Sequence, residues 1–226
     1  MIKIQDLYKR YGSKEVLQGL NMEFSKGGVY GIMGANGAGK TTLFKCISGL
    51  ESYQGTIISE IDPLKNHLGL LWTVPYFFSK ITGREYIRLL CNARNIKIKN
   101  IDEKNIFELP LDRFASQYST GMKKKLALTA ILLQQNQVLI LDEPFNGVDM
   151  ESNIIIESII NELKNLGKTL IISSHIFASL KNLCDEIFLL KDGIIEKHVG
   201  KDAYSQLEDL YSDQMVNSKL MQLSLK

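Results

Sequence analysis

The run Gly34-Ala35-Asn36-Gly37-Ala38-Gly39-Lys40-Thr41 constrains this chain more than any other feature. It is a full G-x-x-x-x-G-K-[ST] pattern. A compact apolar stretch, Val29–Met33, reads as a strand before it, and residues 41–50 read as a helix after it. Glycines let the backbone curl so that successive N–H groups point inward as an anion nest. The N-terminus of the following helix adds a favourable dipole for phosphate. In that setting Lys40 reaches β- and γ-phosphates and the Thr41 hydroxyl ligates Mg²⁺. Strand, loop and helix in this order require an α/β fold.

The second element is Val138-Leu139-Ile140-Leu141-Asp142-Glu143, a buried strand ending in two acids. Asp142 is the candidate Mg²⁺ residue, holding the ion directly or indirectly. Glu143 is the candidate general base that polarises an attacking water. Around this strand the last third alternates. Residues 152–166 read as a helix ended by Gly167, 169–173 as a strand and 176–183 as a short helix. A hairpin follows around Lys191-Asp192-Gly193. Such alternation implies a mainly parallel sheet. The first residues read differently. Apolar positions alternate at Ile2, Ile4 and Leu7 and again from Val16 to Phe24, with turn signals at Gly12 and Gly27-Gly28. That pattern predicts short antiparallel strands.

The middle, from about Pro75 to Ala130, reads helical, with Tyr86, Leu89, Leu90 and Ala93 at helical spacing. From Lys80 to Lys125 it carries 11 basic and five acidic residues. A solvated helical face is the plain reading; contact with an acidic partner or a lipid surface is the sharper one. The whole chain of 226 residues is nearly neutral, with 27 Lys+Arg against 25 Asp+Glu. That balance gives no argument for nucleic acid as a partner. No run of about 18 apolar residues occurs, and the N-terminus lacks a signal-peptide apolar region. A cytoplasmic location is therefore expected. Cys46, Cys91 and Cys184 show no metal or disulfide spacing and are expected to be buried, reduced thiols.

The order of the remaining motifs carries a family resemblance. Tyr118-Ser119-Thr120-Gly121-Met122-Lys123 stands shortly before the acidic strand. Asn146-Gly147-Val148-Asp149 and Ser173-Ser174-His175 follow it. In this order and spacing, from Met1 to about Gly200, the chain resembles the nucleotide-binding subunit of an ATP-binding-cassette (ABC) transporter. The resemblance implies a P-loop NTPase fold with a RecA-like sheet, an N-terminal antiparallel β subdomain and an inserted helical subdomain. It divides the chain into a nucleotide-binding core (about 1–74 and 135–200), a helical subdomain (about 75–134) and a C-terminal tail (201–226), which reads as weakly amphipathic helix.

Carried over residue by residue, the resemblance implies ATP and Mg²⁺ as cofactors. Tyr11 stacks on adenine. Gly34, Asn36, Gly37, Ala38, Gly39, Lys40, Thr41 and Thr42 hold the phosphates, with Thr41 and Asp142 at the metal. Glu143, His175 and Lys40 are the catalytic set, His175 as the switch histidine at the γ-phosphate. Asp149 is the D-loop aspartate. Ser119, Gly121 and Met122 belong to the signature, which in this family completes the site of a second copy. Tyr118, Thr120 and Met122 replace the usual leucine, first glycine and glutamine. Ser119 also suits a plain helix N-cap, and both roles can hold at once.

One departure matters. Aligning Leu68 to Thr73 with the family puts Thr73 where a glutamine normally touches the metal and the attacking water. No glutamine lies between Gly55 and Ser116. A threonine reaches less far and could act through a bridging water. The replacement is expected to give slow or partner-dependent hydrolysis, with a neutral replacement as the other reading. Just beyond it, Tyr76-Phe77-Phe78 reads either as an interface patch for a membrane subunit or as core.

The implied function is ATP hydrolysis that powers export through separate transmembrane permease subunits. The ATPase subunits would act as a homodimer or a dimer with a paralogue, peripheral on the inner face of the cell membrane. A soluble single-cassette ABC ATPase acting in an assembly process is the other class the motifs allow.

Overall fold

In the computed structural model, residues 1–205, 207 and 208 are described. Most of the expected tail helix lies outside these residues. Three antiparallel strands form one sheet in the order β2-β1-β4: β1 (Ile2–Tyr11), β2 (Lys14–Phe24) and β4 (Gln54–Ser59). A six-stranded sheet runs β5-β6-β7-β3-β8-β9. Its strands are β3 (Val29–Met33), β5 (Leu68–Leu71), β6 (Val138–Asp142), β7 (Thr169–Ser174), β8 (Glu186–Lys191) and β9 (Ile194–Gly200). All neighbours in it are parallel except the β8–β9 hairpin. The mainly parallel sheet and the separate N-terminal antiparallel sheet are as the sequence predicts.

The sheet explains why its strands read as unbroken apolar runs: both faces are covered. Successive side chains alternate between two cores. Val29, Met33, Leu139, Leu141, Leu170 and Ile172 face the helices α2 (Gly83–Asn92), α3 (Thr120–Leu133) and α4 (Met150–Asn165). Tyr30, Ile32, Val138, Ile140 and Ile171 face α1 (Lys40–Ile47) and the antiparallel sheet. Helix α1 therefore sits between two sheets, with Leu43 and Phe44 fully buried. The three thiols are free and buried, and burial pushes those of Cys46 and Cys91 up to about 11.

The middle of the chain differs from its sequence reading. Only α2 and α3 are α-helical there; between them lie two single 3₁₀ turns, at Asp102–Lys104 and Ala115–Gln117. Asn95, Asn100 and Glu108 take positive φ of 57°, 53° and 50°, and Pro110 lacks an N–H, so no helix can run through. Helix α2 starts at a capping box in which the Thr82 hydroxyl accepts from the Glu85 N–H and Glu85 accepts from the Thr82 N–H. Some of this section's basic residues are paired or buried within the chain. Arg84 forks onto Asp102 and Asp112, and Lys124 is buried. Residues 176–183 form a single turn of helix, α5 (Ala178–Lys181).

Parallel pairing puts the C-terminal ends of β5, β6, β7 and β3 along one edge. In open α/β sheets that edge is where ligands bind.

Candidate active site

A cavity of about 470 Å³ opens at that edge, lined by the 35–42 loop, Thr73, Asp142, Glu143 and Asn146. The loop is shaped by two glycines that no other residue could replace without displacement. A Cβ on Gly34 would stand 2.3 Å from the Leu190 carbonyl oxygen. Gly39 has φ 113° and caps α1 without any side-chain hydrogen bond. The first N–H groups of α1 are thus left for an anion.

Lys40 is buried and its Nζ donates to the carbonyls of Gly34 (2.6 Å) and Ala35 (3.2 Å). The same Nζ lies 3.2 Å from Glu143 Oε1. Phosphate oxygens entering the loop would compete for this ammonium with two carbonyls and one carboxylate.

Asp142 is 1% exposed and accepts three hydroxyls. Oδ2 accepts from Thr41 and from Thr73, each at 2.7 Å, and Oδ1 accepts from Ser173 at 2.6 Å. Register explains the last contact, because Asp142 and Ser173 are direct partners across β6 and β7. Ser173 Oγ in turn accepts the Glu143 N–H at 2.9 Å. Thr73 thus meets Asp142 directly.

Glu143 stands between His175 and Lys40. Its Oε2 lies 2.9 Å from His175 Nδ1, and since a carboxylate only accepts, Nδ1 carries the hydrogen. Its Oε1 is buried, has the Lys40 ion pair and makes no hydrogen bond. A buried oxygen so placed is a ready acceptor for a water proton. The residue holds φ 50°, which costs a side-chain-bearing residue on the order of 1 kcal/mol and needs outside support.

The oxygens of Thr41, Thr73 and Asp142 converge at one end of the cavity. Such a hard-oxygen set suits Mg²⁺, which favours one or two protein ligands plus phosphates and water. Among the described residues no cluster of three or more His, Cys, Asp or Glu forms a stand-alone metal site.

The remaining expected residues are placed elsewhere. Tyr11 ends β1, is 41% exposed and has the Lys9 Nζ 4.8 Å from its ring centroid. Lys9 is itself anchored on Glu51 and the Ser52 carbonyl. Burial, then Glu51, raises the Tyr11 phenol, while neighbouring Thr42 lowers it. Ser119 is exposed and caps α3, accepting the Met122 N–H at 3.2 Å. Ser119, Gly121 and Met122 are not among the residues lining the cavity of their own chain. Asp149 caps α4, accepting the Ser152 N–H at 2.8 Å, and pairs with Lys125 at 3.1 Å. Those contacts hold its carboxyl well below the usual range. Of the aromatic run, Tyr76 and Phe78 are exposed and meet edge to face, whereas Phe77 packs inward on Tyr86.

Sequence reasoning missed Lys124. Within the run Lys123-Lys124-Lys125 it reads as part of a solvated face, yet it is 1% exposed and donates to two backbone carbonyls beside the site. Burial lowers its ammonium pKa, opposed by the nearby charges of Glu143 and Asp142. Lys124 precedes Ala127, Leu128 and Ile131 at helical spacing and so lies on the buried face of α3; that spacing is the available signal.

Comparison with known proteins bears on the family and the fold. The sequence profile of the ABC transporter family matches residues 17–146. The lantibiotic transport ATP-binding protein SrtF of Streptococcus pyogenes is 31% identical, over 97% of this chain and 99% of that protein. The bacitracin transport ATP-binding protein BcrA of Bacillus licheniformis is 33% identical, over 95% of this chain and 76% of its own length. Among solved structures, an ATP-binding subunit of an ABC transporter superposes with TM-score 0.81 at 25% identity, covering 94% of this chain and 98% of that one. A dimeric ATP-binding cassette with ADP and Pi bound has the same fold, with TM-score 0.79 at 20% identity, over 89% of this chain and 99% of its own.

Proposed function

The chain belongs to the ABC transporter family, and from that premise we propose that it is the ATP-hydrolysing subunit of an exporter, with Glu143 as general base. One observation carries the reading: the Glu143 carboxylate stands between Lys40 and His175, directly after an Asp142 that the Thr41 hydroxyl contacts. Lys40 leaves the loop carbonyls for the β- and γ-phosphates, and Glu143 Oε1, released from it, takes the proton of the attacking water. His175 holds the other carboxylate oxygen in place. Mg²⁺ bound through Thr41 and Asp142 would neutralise developing phosphate charge. Tyr11 would stack on the base.

Ser119, Gly121 and Met122 act on the nucleotide of a second copy or a paralogue. Their place at the exposed start of α3, away from their own chain's cavity, supports that reading. Residues 1–74 and 135–200 form the nucleotide-binding core and 75–134 the helical subdomain, with 201–226 as the tail. No helix among the described residues is long and apolar enough to cross a membrane. Tyr76 and Phe78 would meet a separate permease that brings the subunit to the inner face of the membrane. The cargo carried over from the relatives' names is a lantibiotic or bacitracin-like compound.

The test is steady-state ATPase of the full chain, alone and with the membrane subunit co-purified. Glu143→Gln is expected to lower kcat by about 10²- to 10⁴-fold while ATP binding persists. Turnover unchanged by that substitution overturns the assignment.

A further inference from the structure

Lys124 is buried in α3, and its Nζ donates at 2.7 Å to the Glu143 carbonyl and at 2.6 Å to the Asn146 carbonyl. These two oxygens bracket the turn that follows Asp142, whose first residue is held at φ 50°. Two more contacts join the same helix to the same loop. A Cβ on Gly121 would stand 2.8 Å from the Gly147 carbonyl oxygen, so the backbones approach closely there. Lys125 Nζ reaches Asp149 Oδ2 and Ser152 Oγ, each at 3.1 Å. Packing alone does not call for an ammonium at 124. Burying a cation is costly, and a methionine would fill a similar volume. What the ammonium adds is two short, directional bonds from one helix to the backbone of Glu143 and Asn146.

We propose that Lys124 is a positioning residue for the general base, fixing the 143–146 turn to α3 so that the Glu143 carboxylate is aimed into the cavity. The inference rests on Glu143 being the base of an ATP-hydrolysing site. It places that base under the control of the helix whose exposed start carries Ser119.

The experiment compares the full wild-type chain with Lys124→Met and Lys124→Gln, reading kcat, KM and the affinity for a fluorescent ATP analogue. Misplacing a reacting group by about 1 Å costs up to about 100-fold, so Lys124→Met is expected to lower kcat by about 10- to 100-fold. Nucleotide affinity is expected to stay within about twofold, because the phosphate loop is untouched. Lys124→Gln keeps a neutral donor and falls between the two; it supplies the same readings if Lys124→Met does not fold. In a Glu143→Gln background, Lys124→Met is expected to cause no further loss, since both changes act through one carboxylate. A folded Lys124 variant with wild-type kcat, a parallel loss of nucleotide affinity, or full additivity with Glu143→Gln overturns the proposal. Absence of wild-type turnover overturns instead the site reading on which it rests.

Discussion

Thr73→Val removes a hydroxyl and keeps the shape of the side chain, which isolates one contact. Thr73 Oγ1 donates at 2.7 Å to Asp142 Oδ2, the oxygen that Thr41 also uses. The acceptor is 1% exposed, so solvent cannot replace the lost donor easily. A hydrogen bond to a charged group contributes about 1.5–3 kcal/mol, and the lower end applies because Asp142 keeps its bonds from Thr41 and Ser173. At about 2–4 °C per kcal/mol for a chain of this length, Tm should fall by about 3–6 °C. Urea unfolding of the nucleotide-free chain measures the loss, and Thr73→Ser, which keeps the donor, should recover most of it. Equal stability of wild type and Thr73→Val, or equal loss in the valine and serine variants, refutes the reasoning. The functional arm uses Thr73→Gln. The threonine hydroxyl is spent on Asp142, whereas a glutamine amide is longer and brings a donor and an acceptor further into the cavity. Steady-state ATPase is expected to rise several-fold, on the order allowed by one added water-positioning contact. No rise, alone or with the membrane subunit, counts against the expectation that Thr73 slows hydrolysis.

Three further outcomes follow from other parts of the molecule. Tyr11→Ala should weaken ATP binding by about 1 kcal/mol, roughly a fivefold rise in KM, with kcat unchanged; a change in kcat alone contradicts a stacking role. Asp149 has its pKa depressed first by the Ser152 N–H and hydroxyl and then by Lys125. Its contribution to stability is therefore complete above the unfolded value of about 4 and is lost as pH falls towards the lower folded value. Unfolding between pH 6 and pH 2 should show a shallower acid loss for Asp149→Asn, and identical slopes argue that the cap is not ionic. Because Tyr76 and Phe78 are 74% and 57% exposed, replacing both by serine should change stability by less than about 0.5 kcal/mol per site. The same double variant should lose co-purification with the membrane subunit, and retained co-purification removes those rings from the interface.

The phosphate loop, the strand before it and the helix after it are local features, and the sequence alone determines them. Gly39 is demanded by its own backbone, at φ 113°, whereas Gly34 is demanded by the approach of the Leu190 carbonyl from β8. The continuous apolar runs at Val29–Met33 and Val138–Leu141 announce strands buried on both faces, and the six-stranded sheet has them there. The acids at the end of β6 and the histidine after β7 are legible for the same reason, since parallel pairing brings strand ends to one edge. In the middle of the chain the periodicity at Tyr86, Leu89 and Leu90 marks α2, but the helical reading does not carry through to α3, because left-handed residues and Pro110 break the chain between them.

Tertiary structure alone decided which oxygens meet Asp142 and which lysine is buried. Thr73 and Thr41 are 32 positions apart, and both reach Asp142 Oδ2 only because β5 pairs with β6 and α1 packs over it. Lys123, Lys124 and Lys125 are identical in composition, and they differ only in the direction each takes from the helix axis. One helical step turns Lys124 inward to the carbonyls of Glu143 and Asn146 and leaves Lys125 for Asp149. Charge in a sequence carries no direction, and the packed helix supplies it.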